Sequence, residues 1–133
     1  MHPGYGPEWE HVYAPNVIKR DGIYYMLYTA LSEDGTNRLC LAISTDLFDW
    51  NRYEGNPVIT PSLNWARWVG YGDEKGGNCR DPHILQLEDG SYVAYWVAEM
   101  NPKFRSDLTC VAASVSQDLI HWQEVGSVFI IEA

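Results

Sequence analysis

The chain repeats itself, and the repeat limits the folds open to it. APNVIKRDGIYYMLYT (14–29) is followed by LCLAISTDLFDW (39–50), and DPHILQLEDGSYVAYWV (81–97) by CVAASVSQDLIHW (110–122). Pro15 aligns with Pro82 at an offset of 67, and Gly22, Tyr24 and Tyr28 align with Gly90, Tyr92 and Trp96 at 68. Ser44, Asp46, Leu47 and Trp50 align with Ser116, Asp118, Leu119 and Trp122 at 72. An offset that grows along the repeat places insertions in the loops and leaves the apolar segments whole. A unit this long, built of β-rich segments, points to a blade-type architecture. The copies differ where they open: Tyr13-Ala14-Pro15 stands against Arg80-Asp81-Pro82.

Each copy parses into strands in the same way. A short apolar strand (16–19 or 83–87) leads into Asp21-Gly22 or Asp89-Gly90. Asp-Gly between two β-rich runs signals a hairpin, because glycine accepts the positive φ of a tight turn. A second strand dense in Tyr, Trp, Val and Leu follows (23–30 or 91–98), then a polar loop (32–38 or 101–107). The third strand covers 39–44 or 109–116. A turn at Thr45-Asp46-Leu47 or Gln117-Asp118-Leu119 delivers Trp50 or Trp122 into a short fourth strand. Four antiparallel strands per copy make a propeller blade. The division is one blade at 12–60, an inter-blade loop at 61–78, a second blade at 79–125, and at 126–133 the first strand of a third. Two blades and a strand do not close a ring, so the chain is expected to be part of a longer protein or to pair with another copy. Self-association would cover strand edges otherwise left open.

Composition narrows the function. Hydrophobic residues make up 46% and charged residues 20%, which suits one packed domain of 133 residues. The net charge of -9 comes with nine scattered basic residues and no basic stripe, so a nucleic-acid partner is not expected. No apolar run approaches the roughly 20 residues that span a bilayer, and 1–10 do not read as a signal peptide. A chain complete as it stands would be cytoplasmic. Cys40, Cys79 and Cys110 have no zinc spacing, and an odd count makes no disulfide framework; they read as small buried residues. Aromatics reach 14%, with 6 Trp and 9 Tyr, which fits β-structure and also fits stacking on sugar rings.

In a propeller, first strands line the central channel and their starting residues sit at its mouth. Residues 14–16, 80–83 and 131–132 should therefore converge, rimmed by the polar loops, Glu99 and the 61–78 connection. The pattern Pro, then Gly-x-Tyr-Tyr, then Ala-x-Ser-x-Asp-Leu-x-x-Trp resembles the five-bladed β-propeller glycoside hydrolases of families 32 and 68 and families 43 and 62. Arg80-Asp81-Pro82 resembles the family 32 Arg-Asp-Pro motif, whose aspartate stabilises the transition state. It also resembles the Asp-Pro opening of family 43, whose aspartate is the general base. The resemblance implies a carbohydrate substrate of furanoside, xyloside or fructoside type, with Asp81 catalytic and Glu132 standing where both families carry the general acid. No nucleotide or redox cofactor is implied; some family 43 propellers hold a calcium ion in the channel, but no residue pattern in this chain specifies one.

Other positions support this reading or compete with it. Arg80 would orient Asp81 or bind a hydroxyl; otherwise it forms a structural ion pair. His83 lies two residues after Asp81 on the same strand face, where a substrate contact competes with a core histidine. Trp65, Trp68 and Tyr71 would form a stacking platform, or pack the loop. Glu99 is a further carboxylate at the rim. Against the family patterns, Ala14 stands where family 32 has its nucleophilic aspartate. Aligned instead to family 43, Asn16 stands where an aspartate tunes the acid. Glycoside hydrolysis normally uses two carboxylates, about 5–5.5 Å apart for retention and 6.5–9.5 Å for inversion. Asp81 and Glu132 are the remaining pair. The rival reading is a non-catalytic carbohydrate-binding or incomplete propeller fragment without a full carboxylate set.

Overall fold

A computed structural model of the chain describes residues 11–32, 35–68, 77–101 and 109–130. They form eight strands: β1 His11–Arg20, β2 Ile23–Leu31, β3 Asn37–Ser44, β4 Asn51–Arg52, β5 Cys79–Gln86, β6 Tyr92–Glu99, β7 Thr109–Ser116 and β8 Gln123–Ile130. They build two four-stranded antiparallel sheets, ordered β1-β2-β3-β4 and β5-β6-β7-β8. These are blades of the all-β, propeller type that the repeat implies.

The repeat is structural as well as textual. Tyr28 pairs with Cys40 in the first sheet, and the aligned Trp96 pairs with Ala112 in the second. Both third strands end in the same turn. Ser44 Oγ accepts the Leu47 N–H and Asp46 Oδ1 accepts those of Phe48 and Asp49. Ser116 and Asp118 do the same for Leu119, Ile120 and His121. The Trp50 and Trp122 indoles close the turns by donating to the carbonyls of Leu47 and Leu119. Short polar side chains satisfy the backbone where the ladder stops. The hairpins differ. Asp21 and Gly22 both have positive φ (50° and 78°), a tight two-residue turn. In the second copy the turn is wider: Leu87 N–H donates to Ser91 O and Gly90 N–H to Leu87 O, and only Gly90 is left-handed.

One boundary is corrected. Residues 126–130, expected to open a third blade, complete the second one. β8 pairs with β7 from Val115↔Gln123 to Cys110↔Ile130, with irregularities near Gly126. The fourth strand is longer than Trp122 alone suggested, because apolar Val128, Phe129 and Ile130 continue the ladder and do not begin a new unit.

The sheets stack face to face. Leu27, Leu39 and Leu41 of the first meet Ile84, Trp96, Ala98, Cys110 and Ala112 of the second in one core. β5 lies against β1, β2 and β3, which puts the start of the second sheet beside the inner edge of the first. The far face of the first sheet carries Tyr28, Ala30, Cys40 and Ala42 with Met26 and Trp50. By the strand pairing, that face repeats Trp96, Ala98, Ala112 and Ser114 with Ala94 and Trp122, the face with which the second sheet meets the first. Apolar grooves lie on both outer sides, one lined by Val12, Tyr13, Pro15, Met26 and Tyr28 and the other by Val97, Val111 and Phe129.

Candidate active site

The inner strands of both sheets carry the same defect at the same place. β1 pairs Tyr13 with Thr29 and next Asn16 with Leu27, so Ala14 and Pro15 together oppose Tyr28. β5 pairs Arg80 with Val97 and next His83 with Tyr95, so Asp81 and Pro82 oppose Trp96. Ala14 and Asp81 are both left-handed, with φ 53° and 59°. A bulge of two residues against one bends the strand and re-aims a side chain. Aspartate tolerates the left-handed region better than alanine does.

The bulge in β5 is tied to the first sheet on both sides. The Asp81 N–H donates to Thr29 Oγ1 at 3.0 Å. The Ile84 N–H donates to Asn16 Oδ1 at 2.8 Å. Thr29 is fully buried, so its hydroxyl has no water to compete for it. The Asp81 side chain is about half exposed, at 53%, and its Oδ2 lies 3.9 Å from Arg80 Nε. That Nε is buried and has no hydrogen-bond partner. His83 is exposed like Asp81, while Pro82 and Ile84 between and after them are buried, so the two polar residues share the open side of β5.

The other candidates fall into two groups. Glu99 ends β6 at the same end of the sheet, but both of its oxygens are engaged. Arg67 Nη1 donates to one at 3.2 Å and Asn78 Nδ2 to the other at 2.7 Å. The Arg67 N–H also donates to the Glu99 carbonyl, so this carboxylate ties the connection between the sheets to β6. Trp65 and Trp68 pack against the core. The Trp65 indole N–H donates to Glu124 and that of Trp68 to the Asn37 carbonyl. Trp65 stands 6.2 Å from Trp96, and Arg38 lies over the Trp68 ring. Tyr71 and Glu132 lie outside the described residues. Cys79 is buried, and burial pushes its thiol far above the ordinary range, so it is a neutral packing group beside the site. Among the described residues no group of three His, Cys, Asp or Glu is placed to hold a metal ion.

Thr29 escaped the sequence reading, although a signal was present. Its partner in the second copy, at the offset of 68, is Val97. A hydroxyl in place of a methyl, on side chains of one shape, marks a position where the two copies have different tasks. Arg67 and Asn78 sit in the irregular connection, where no pattern singles them out.

Two stacked four-stranded antiparallel sheets have the build of successive propeller blades. The chain belongs to the glycosyl hydrolases family 32 N-terminal domain, whose model matches residues 2–132. It is 28% identical over 123 residues to an extracellular endo-α-(1→5)-L-arabinanase of Thermotoga petrophila, covering 84% of this chain and 22% of that protein. A glycosyl hydrolase from Bacteroides ovatus superposes with TM-score 0.73 at 29% identity, over 92% of this chain and 33% of that one. Fructan 1-exohydrolase IIa from Cichorium intybus superposes with TM-score 0.73 at 19% identity, over 96% of this chain and 22% of that one; it shares the fold. The chain spans a third or less of the length of each.

Proposed function

We propose that this chain supplies one catalytic carboxylate, Asp81, to a glycoside hydrolase acting on furanoside-type or related oligosaccharides. The observation that carries the reading is the β5 bulge. It is held from the neighbouring sheet and presents a half-exposed carboxylate 3.9 Å from the Arg80 Nε. Asp81 acts as base or transition-state stabiliser. The expectation for Glu132 rests on a new inner strand at 126–133, whereas 123–130 form the outer strand β8 of the second sheet, so a second group donates the proton to the leaving group. A donor in the second role must hold its proton near neutral pH. Arg80, its buried Nε 3.9 Å from Asp81 Oδ2, orients that carboxylate, and His83 shares the open side of the strand. Asn16 contributes through the backbone it accepts from. Trp65 and Trp68, whose rings pack against the core, and Glu99, both of whose oxygens are engaged, are left out of the substrate contacts. The two open sheet faces are covered by further blades or by a second copy.

The test uses protein expressed from the complete reading frame, assayed on aryl arabinofuranoside, aryl xyloside and sucrose. Asp81→Asn is expected to lower kcat by roughly 10²–10⁴-fold with little change in thermal stability. Equal turnover by wild type and Asp81→Asn sinks the assignment. Ala14 favours a second reading, a carbohydrate-binding module, because an apolar side chain occupies the first bulge. Saturable oligosaccharide binding with no turnover by the wild-type protein would support it.

A further inference from the structure

We infer that Thr29 is a positioning residue that sets the aim of the Asp81 carboxylate from the neighbouring sheet. The inference rests on the catalytic reading of Asp81 and deepens it. A bulge leaves one residue of its strand outside the ladder, so the N–H of that residue needs another acceptor or water. In β5 that residue is Asp81, and its acceptor is the fully buried Thr29 Oγ1, 3.0 Å away in β2. Without an acceptor the left-handed conformation at φ 59° would be held only by its own ladder and by Pro82. The second tie, Ile84 N–H to Asn16 Oδ1, lies three residues on and also comes from the first sheet. The rotation of the Asp81 Cα–Cβ bond about the strand is thereby fixed from outside its own sheet. Thr29 touches the backbone of Asp81 and acts on substrate only through it.

The position of Thr29 in the repeat supports this role over one in packing alone. Its counterpart Val97 has the same shape and no hydroxyl. Val97 is only partly buried and borders an open groove. A β-branched side chain of this volume therefore suits the strand with or without oxygen. The oxygen is present in the copy that faces the Asp81 bulge.

The experiment compares Thr29→Val, Thr29→Ser and Asp81→Asn in protein from the complete reading frame. It measures kcat and KM separately, thermal stability, and hydrogen exchange of the Asp81 amide. A misplacement of about 1 Å costs up to roughly 10²-fold. Thr29→Val is expected to lower kcat by roughly 10–100-fold with KM within about twofold, and to speed exchange of the Asp81 amide. Thr29→Ser, which keeps the oxygen, is expected to restore most of kcat and the slow exchange. Where Val at 29 prevents folding, Thr29→Ala replaces it with the same expectations. Wild-type kcat in Thr29→Val, with Asp81→Asn inactive, overturns the role of Thr29 and leaves that of Asp81 standing. Equal loss in the Ser and Val variants also overturns it, because packing and not the oxygen would then be responsible. Wild-type turnover in Asp81→Asn sinks the catalytic reading itself, and the positioning role with it.

Discussion

Leu47 and Leu119 occupy the same turn of the two repeats and predict different outcomes for one substitution. Both are left-handed, with φ 74° and 70°. Both give their N–H to a serine hydroxyl at 2.9 Å and their carbonyl to a tryptophan indole. Their burial separates them: Leu47 is 44% exposed and Leu119 is fully buried in the core between the sheets. A left-handed non-glycine residue costs roughly 1–2 kcal/mol, which glycine relieves. Leu119→Gly also removes a whole core side chain. Removal down to alanine alone costs about 2–5 kcal/mol, cavity included. The net expectation is a loss centred on about 2 kcal/mol and reaching about 4. At Leu47 about half the side chain already meets water, so roughly 1 kcal/mol of burial is lost against a similar relief of strain. The net change there should lie within about 1 kcal/mol of zero. The assay is urea unfolding of both variants with the m-value checked for constancy, since a changed slope means a changed end state. Equal destabilisation at the two sites would refute the reasoning, because it would mean that turn conformation, and not burial, governs the cost.

Two further outcomes follow. Partial burial raises the Asp118 carboxyl, but the His121 ring, the N–H groups of His121 and Ile120 and the Ser116 hydroxyl outweigh it and hold the group well below its ordinary value of 3.8. A depressed folded value means stability that is present above pH about 4 and lost as pH falls below it. Asp118→Asn should therefore flatten the loss of stability on acidification below pH about 4, measured by urea midpoints across pH; an unchanged acid limb would contradict this. Glu99→Gln weakens an ion pair whose side chains are mostly buried, 13% exposed for Arg67 and 22% for Glu99. It is expected to destabilise by about 1–3 kcal/mol while leaving KM within about twofold, and a large KM effect at unchanged stability would return Glu99 to the substrate contacts.

The repeat made most of the architecture legible. Gly22, Tyr24 and Tyr28 against Gly90, Tyr92 and Trp96 carry strand positions, and Ser-x-Asp-Leu-x-x-Trp carries a turn whose hydrogen bonds recur in both copies. The end of the second sheet was misread because an apolar run such as Val128-Phe129-Ile130 suits an outer strand as well as an inner one. The bulges were hidden by their sequences. A residue before proline reads as extended, yet Ala14 and Asp81 are left-handed. The roles of Trp65, Trp68 and Glu99 depend on Glu124, Asn37, Arg67 and Asn78, which are distant in sequence or sit in irregular chain. Composition shows aromatics and carboxylates but not which of their polar edges are already satisfied.

The two copies diverge in a pattern that follows from where the bulge is held. Three differences gather there: Ala14 against Asp81, Asn16 against His83, and Thr29 against Val97. Asn16 and Thr29 accept backbone N–H groups of β5, while Asp81 and His83 stand on its open side. Both acceptors for the β5 bulge lie across the interface between the sheets. The candidate site is thus a property of the step from one blade to the next. Substitutions at Asn16 or Thr29 should act on Asp81 although they lie in the other repeat, and exchanging the two for His and Val, as the second copy has them, should free the bulge while leaving both sheets intact.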